Sequence, residues 1–121
     1  MFTEIKTVSN EVKSKIDLAS RGYTDLIVSE IQSGISQLWR LKAPYSGYLV
    51  TRLENTELVL VIGVGRGLRP AVKFLCEFCI NNDIRSIRTH VVNKGLVRIY
   101  ESLGFFVYKF ENDEYILKKE F

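Results

Sequence analysis

The sequence has little of several residue types on which small proteins often depend. It has two cysteines and one histidine in 121 residues. Cys76 and Cys79 are too few and too close together for a disulfide framework. Zinc needs about four ligands, and the single His90 cannot complete a set with this Cys-x-x-Cys pair. A redox pair would open its helix, whereas these cysteines fall inside one, so buried free thiols are expected.

Long apolar runs are also absent. The longest run, residues 58–64, has the length of a strand, whereas a membrane-spanning helix needs about 18 apolar residues or more. Residues 1–15 carry charge throughout and contain no apolar core of signal-peptide length. These absences predict a cytoplasmic protein that does not associate with a membrane.

The charge balance excludes little but argues against nucleic acid as a partner. No basic run and no interleaving of basic with aromatic residues is present. The formal net charge of +3 is compatible with an anionic ligand, and equally with an ordinary solvated surface. With 46% hydrophobic and 26% charged residues, the chain is expected to form one globular domain over residues 1–121.

Apolar periodicity predicts four helices and six strands. The helices are predicted at residues 3–19, 24–32, 70–80 and 93–103, and the strands at 37–41, 48–53, 57–64, 84–92, 105–110 and 114–118. Thr24 is expected to be the N-cap of the second helix. The residues expected to face the core are Leu26, Ile27 and Ile31 in the second helix and Ala71, Phe74, Leu75, Phe78 and Cys79 in the third. This order favours a mixed sheet with helices on its faces.

Residues 93–105 are the stretch around which the rest is best understood. Gly104 is expected to end a short helix, since glycine readily takes the left-handed conformation of a C-terminal cap. Asn93 and Tyr100 are two turns apart and therefore project from the same side of that helix. One apolar stripe is formed by Leu96, Ile99, Tyr100 and Leu103.

This stretch resembles a motif of the GNAT acetyltransferase superfamily, in which Asn opens a helix, Tyr follows two turns later and Leu-Gly-Phe ends it. The resemblance implies that Asn93 contacts acyl-CoA and that Tyr100 protonates the departing thiolate. It also implies an α/β fold with a mixed, mostly antiparallel sheet and helices on both faces. From the residues alone, Asn93 is equally explained as an N-cap and Tyr100 as a core aromatic.

The loop at residues 63–70 joins an apolar strand to a helix and is rich in glycine. Free N–H groups and the helix dipole make such a turn an anion site. In the GNAT family this loop holds the pyrophosphate of acyl-CoA, and the resemblance assigns that role to Arg66, Gly67, Leu68, Arg69 and Ala71. Arg69 departs from the family by replacing a glycine, and Pro70 removes one N–H donor. A tight turn without a ligand explains the loop equally well.

Two other phosphate-binding patterns are excluded for this loop. The dinucleotide-binding fingerprint lacks its final glycine, and no Gly-Lys-Ser or Gly-Lys-Thr of a Walker-type loop is present. The GNAT resemblance further implies that Val61, Ile62 and Gly63 hydrogen-bond the pantetheine arm and polarise the thioester carbonyl where two strands splay. A sheet with no splay between the strands at Val61 and Ile87 would instead indicate an unrelated small α/β ligand-binding domain.

The sequence therefore predicts a short GNAT-like protein, of a type associated with bacteriophage and bacterial genomes, without a counterpart of the first strand of the usual sheet. Its predicted activity is transfer of an acetyl group from acetyl-CoA to an unidentified amine. The alternative is a catalytically inactive GNAT-fold binding or structural module. No general base is assigned, because nothing in the sequence distinguishes Glu54 or Glu57 from exposed carboxylates. The oligomeric state, a homodimer included, stays open.

Overall fold

The computed structural model describes residues 2–121. Its strands are β1 (Phe2–Ile5), β2 (Gln37–Leu41), β3 (Ser46–Glu54), β4 (Glu57–Arg66), β5 (Ser86–Val91), β6 (Phe106–Glu111) and β7 (Glu114–Glu120). Its helices are α1 (Asn10–Ser20), α2 (Thr24–Gln32), α3 (Leu68–Asn81) and α4 (Lys94–Ser102). In this part of the chain no helix is long and apolar enough to cross a bilayer.

All seven strands form one sheet in the order β1-β2-β3-β4-β5-β7-β6. Strands β4 and β5 are parallel and are connected through α3, whereas the other neighbouring pairs are antiparallel. A parallel pair needs a crossover connection, which the helix provides. The predicted mixed, mostly antiparallel sheet is therefore confirmed.

The sheet has a hydrophobic core on each face. Leu49 and Val50 are successive residues of β3, so their side chains point to opposite faces. Val50 packs in a cluster with residues of α1 and α2, and Leu49 packs in a cluster with residues of α3 and α4. We call these the α1–α2 face and the α3–α4 face. Helices on both faces were predicted, and this prediction is confirmed.

The predicted helix at residues 3–19 is wrong over its first turns. Phe2–Ile5 is a strand that pairs with β2, Phe2 opposite Leu41 and Ile5 opposite Leu38. Helix α1 begins only after Ser9, whose hydroxyl accepts a hydrogen bond from the N–H of Val12 at 3.2 Å. Pairing with β2 outweighed the helical periodicity of these residues. The sequence predicted no counterpart of the first strand of the usual sheet, and this prediction is also wrong.

Two side-chain predictions for α2 are also wrong. Tyr23 is the N-cap residue of α2, and Thr24 is buried with its hydroxyl bonded to Ser20 and Asp17. Leu26 is exposed on the same helix.

In α3, Ala71, Leu75 and Cys79 are buried as predicted, but the rest of the buried side differs. Phe74 and Phe78 are partly exposed, while Val72 and Cys76 are buried in their place. Cys76 and Cys79 are free and buried, as predicted, and burial raises the pKa of the Cys79 thiol to about 12. Two neutral thiols in the core have no reactive character.

Candidate active site

The centre of the site is a fork between the two parallel strands. Pairing of β4 with β5 ends at Leu60 opposite Thr89, and beyond this point β4 runs on to Arg66 paired only with β3. A register shift on the β3 side places Ile62 opposite Val50 and Leu60 opposite Thr51, so Val61 is an additional residue in β4. The strands thus part at Val61, where the sequence resemblance implies a splay.

Thr89 and Leu60 form the last residue pair, or rung, of the β4–β5 ladder before the fork. The Thr89 hydroxyl donates a hydrogen bond to the carbonyl oxygen of Leu60 at 3.1 Å, and both residues are buried. Beyond this rung, one edge of β4 has no strand partner among residues 2–121. Backbone N–H groups along such an edge are free to bind an extended polar ligand.

Tyr100 lies against this rung on the α3–α4 face. It is 4% exposed, and its ring packs edge-on against Phe105 at 5.1 Å between centroids. Burial raises the pKa of Tyr100 to about 12, although a hydrogen bond with Thr89 acts in the opposite direction. The phenol therefore stays protonated near neutral pH and can donate but not remove a proton.

A Schellman cap at the end of α4 fixes the position of Tyr100. Gly104 has φ of +94°, and its N–H donates to the carbonyl of Glu101 at 3.0 Å. The N–H of Phe105 donates to the carbonyl of Tyr100 at 3.1 Å. The apolar contact that accompanies this motif is the contact between Tyr100 and Phe105. Gly104 ends the helix as predicted.

The glycines of the β4–α3 loop have a packing role. A Cβ atom at Gly65 would lie 2.2 Å from the carbonyl oxygen of Ser46, because Gly65 pairs with Gly47 across the two strands. At Gly67 a Cβ atom would lie 2.8 Å from the ring of Tyr45. Close approach of β3 and β4 therefore requires Gly65, and packing against Tyr45 requires Gly67, independent of any ligand.

The start of α3 nevertheless has the features of an anion site. Gly67 is the N-cap residue with φ of +109°, no side chain caps the helix, and its first turn contains no acidic residue. The N–H groups of Leu68 and Arg69 precede the first intrahelical hydrogen bond, which Ala71 donates to Gly67 at 3.0 Å. Pro70 has no N–H to offer.

The two arginines of this loop have different surroundings. Arg66 is exposed at the last position of β4. The Arg69 side chain donates from Nη1 to the hydroxyl of Ser102 at 2.7 Å, and that hydroxyl donates to the carbonyl of Ile99 at 2.5 Å. Arg69 therefore connects the start of α3 to the end of α4, while Arg66 stays available to an anion.

Asn93 follows β5 and begins α4. Its Oδ1 accepts a hydrogen bond from the N–H of Gly95 at 2.6 Å, which makes it the N-cap of the helix. The side chain is exposed, so its Nδ2 donors face solvent. Capping thus occupies Oδ1 of Asn93 and leaves its Nδ2 group to donate to a ligand.

Neither glutamate considered in the sequence lies at the fork. Glu57 is in the first rung of the parallel pair, opposite Ser86. Burial alone would raise the pKa of Glu57, but hydrogen bonds from Lys118 and Ser86 outweigh it and lower the pKa. A hydrogen bond from Arg52 lowers the pKa of Glu54 in the same way. Both are ionised members of ion-pair networks and weak candidates for a general base.

One group near the fork was missed by the sequence analysis. His90 is the residue after Thr89 and projects to the α1–α2 face. Its Nδ1 lies 3.0 Å from Oε2 of Glu114 at the start of β7, and Oε1 of Glu114 accepts from Nη1 of Arg21 at 2.7 Å. Glu114 is 24 residues from His90 and 93 from Arg21, and no sequence pattern indicates such a contact.

Comparisons with known proteins place this geometry in a fold class. No family model and no curated protein matches the sequence. Solved structures do match: an acetyltransferase from Bacillus subtilis in complex with CoA has a TM-score of 0.79 at 12% identity, covering 99% of this chain and 97% of that one. The PaiA N-acetyltransferase from Thermoplasma acidophilum, in complex with coenzyme A, has 0.70 at 13%, covering 100% and 99%. A GNAT-family acetyltransferase from Listeria monocytogenes has 0.64 at 15%, covering 99% and 95%.

The arrangement of strands, helices and fork is thus an α/β fold that this chain shares with known acetyltransferases. More specifically, the chain has the GNAT fold over its whole described length. The sequence resemblance to this superfamily was correct at the level of the fold.

Proposed function

We propose that the protein is an acyl-CoA-dependent N-acetyltransferase that transfers an acetyl group from acetyl-CoA to an amine. The observation that carries this proposal is the fork beyond Leu60 and Thr89, with a free β4 edge leading to the uncapped start of α3. An extended thioester with a charged end fits such a path, because its amides need backbone partners and its phosphates need N–H donors. The CoA present in the B. subtilis and T. acidophilum structures supports the same ligand class.

Different residues along this path contact different parts of acetyl-CoA. In the proposal, Val61, Ile62 and Gly63 bond the pantetheine arm and polarise the thioester carbonyl, while Asn93 contacts the cofactor from α4. The pyrophosphate lies at the β4–α3 loop, held by the Arg66 side chain and by the backbone at Gly67, Leu68 and Arg69. Ala71, the last residue that the resemblance assigns to this loop, is buried with its N–H donated to Gly67, so it makes no contact with phosphate in the proposal. Free N–H groups directed at the carbonyl oxygen stabilise the oxyanion that forms during attack.

The chemistry is direct transfer. The amine nitrogen attacks the thioester carbon, the carbon–sulfur bond breaks, and Tyr100 protonates the departing thiolate. Tyr100 suits this role because burial keeps its phenol protonated and its hydroxyl lies at Thr89, the last rung of the fork. Acetyl-CoA is thus a co-substrate, and the acceptor is an amine of unidentified structure.

A catalytically inactive GNAT-fold module is the second candidate. Two observations favour it. The Arg69 side chain bonds Ser102 instead of facing the loop. The loop glycines are already required by packing, so they do not indicate a ligand. This candidate differs from the first in one measurable respect, since a scaffold need not bind acetyl-CoA.

Calorimetric titration of acetyl-CoA separates the two candidates. We expect micromolar binding that Arg66→Glu weakens by at least tenfold, because the substitution replaces an attraction to phosphate by repulsion. Arg85→Glu is the matched control, since Arg85 is exposed before β5 at the opposite end of the parallel pair and should leave affinity unchanged. No heat and no thermal shift at millimolar acetyl-CoA would reject the enzyme and favour the inactive module.

A further inference from the structure

The two faces of the fork present different chemical groups. Thr89 and His90 are successive residues of β5 and project to opposite faces. Tyr100 lies on the Thr89 side, and His90 is the first residue beyond the last rung on the other side. A thioester carbonyl held between the strands would therefore have a proton donor on one face and an imidazole on the other.

His90 belongs to a chain of three side chains from three separate elements. It contacts Glu114 of β7 at 3.0 Å, and Glu114 contacts Arg21 of the α1–α2 turn at 2.7 Å. The Arg21–Glu114 ion pair is only partly buried, and ion pairs of this kind add little stability. The two contacts instead restrict the orientation of the His90 ring.

The backbone conformation of Arg21, a member of this chain of side chains, is also unusual. Arg21 has φ of +55°, and the other non-glycine residues with positive φ in residues 2–121 are all Asn or Asp. The left-handed region is unfavourable for a side chain of this type. Arg21 is the C-cap residue of α1, and in this conformation its guanidinium contacts Glu114. Backbone strain of this kind often occurs at functional sites.

The chain also decides which nitrogen of His90 is basic. A carboxylate only accepts hydrogen bonds, so in neutral His90 the hydrogen is on Nδ1 and donates to Glu114. Nε2 then keeps its lone pair. Arg21 holds the carboxylate of Glu114 in place through its own contact at 2.7 Å.

We propose that His90 is the general base of the acetyl transfer, with Glu114 and Arg21 as positioning residues. This inference rests on the proposed function. The amine approaches from the α1–α2 face, its nitrogen forms the bond to the acetyl carbon, and its proton passes to Nε2 of His90. The carbon–sulfur bond breaks, and the thiolate takes a proton from the other face.

Two small nucleophiles test the base without knowledge of the natural acceptor. Ethylamine is mostly an ammonium ion near neutral pH, whereas hydroxylamine is mostly neutral and depends far less on a base. Thiol release from acetyl-CoA is measured with each at high concentration, for the wild type and His90→Gln. We expect His90→Gln to reduce the ethylamine rate by ~10²–10⁴-fold, the usual range for general-base catalysis, and the hydroxylamine rate by less than about tenfold. Equal losses, or no loss with ethylamine, would overturn the proposal.

Two further variants separate positioning from general damage. Glu111→Gln is the matched control, because Glu111 is an exposed carboxylate that pairs only with Lys109 at 3.2 Å. It should leave both rates unchanged. Glu114→Leu, which removes the acceptor, should reduce the ethylamine rate and also change the tautomer of His90, which nitrogen NMR resolves because His90 is the only histidine. An unchanged tautomer in Glu114→Leu would remove Glu114 from the proposed role.

The same NMR signal decides the case in which neither nucleophile reacts. A ketone analogue of acetyl-CoA, which cannot transfer its acetyl group, is added to protein whose acetyl-CoA binding is confirmed by calorimetry. A shift of the His90 ring signals supports its place beside the carbonyl, and no shift overturns it. Absence of acetyl-CoA binding in the wild type is a different result, which rejects the proposed function and this inference together.

Discussion

Replacement of Tyr100 by Phe tests whether this tyrosine is an acid or a core aromatic. The substitution keeps the ring and its contact with Phe105 and removes only the hydroxyl. Thr89 still donates to the carbonyl of Leu60, so no buried donor at Thr89 loses its partner. The free energy of unfolding should therefore fall by only about 0.5–1.5 kcal/mol, the net value of one hydrogen bond.

The effect on chemistry should be much larger. Loss of a general acid typically costs ~10²–10⁴-fold in rate, or about 3–5 kcal/mol of transition-state stabilisation. Thiol release from acetyl-CoA with ethylamine, measured at saturating acetyl-CoA, reports this loss. Calorimetry should give the wild-type affinity for acetyl-CoA, because Tyr100 is assigned to the chemical step. Burial raises its pKa to about 12, so the acid form is present at all lower pH and no loss of rate from Tyr100 is expected between pH 7 and about 10.

Tyr108→Phe is the control for this experiment. Tyr108 is exposed on β6, and Phe keeps the ring over which the Lys118 ammonium lies at 5.0 Å. It should change neither stability nor rate. If Tyr100→Phe leaves thiol release unchanged, the acid role is refuted. A loss of stability above about 3 kcal/mol, in parallel with the loss of activity, would instead indicate a core aromatic.

Two predictions concern the fold around the site. Gly65→Ala should lower the free energy of unfolding in urea by at least about 1 kcal/mol more than Gly22→Ala, because both have positive φ but only Gly65 would clash with Ser46. Equal costs would show that the close approach of β3 and β4 is not limiting. The lowered pKa of Glu57 means that its contribution to stability is present above the usual value of 4.5 and is lost as the pH falls below it. Acid titrations should show a shallower loss below pH 4.5 for Glu57→Gln than for the wild type, and an equal slope would contradict the assigned interactions with Lys118.

The sequence was most informative where structure is local. Helix α4 was predicted closely, because the N-cap Asn93, the apolar stripe and Gly104 all lie within one short segment. The parallel strand β4 was recognisable as an unbroken apolar run, which is typical of a strand covered on both faces. These features depend on neighbours only a few residues away.

Prediction failed where an element depends on a distant partner. β1 has four residues and no strong strand pattern, and it is a strand because β2 offers an unpaired edge. The buried side of α3 was displaced for a similar reason, since the sheet beneath it selects Val72 and Cys76 over Phe74 and Phe78. Periodicity indicates that a helix has an apolar side but leaves its rotation on the sheet undefined.

By itself, the sequence determined the α/β class, the order of most elements and the residues that line β4 and α4. The resemblance implied a splay near Val61, but only the tertiary structure defined the last pair, Leu60 and Thr89, because strand pairing depends on residues far apart in sequence. It also brought His90, Glu114 and Arg21 together across three elements. Side chains far apart in sequence meet only when the sheet order and the helix ends are fixed, and no pattern of neighbouring residues encodes that meeting.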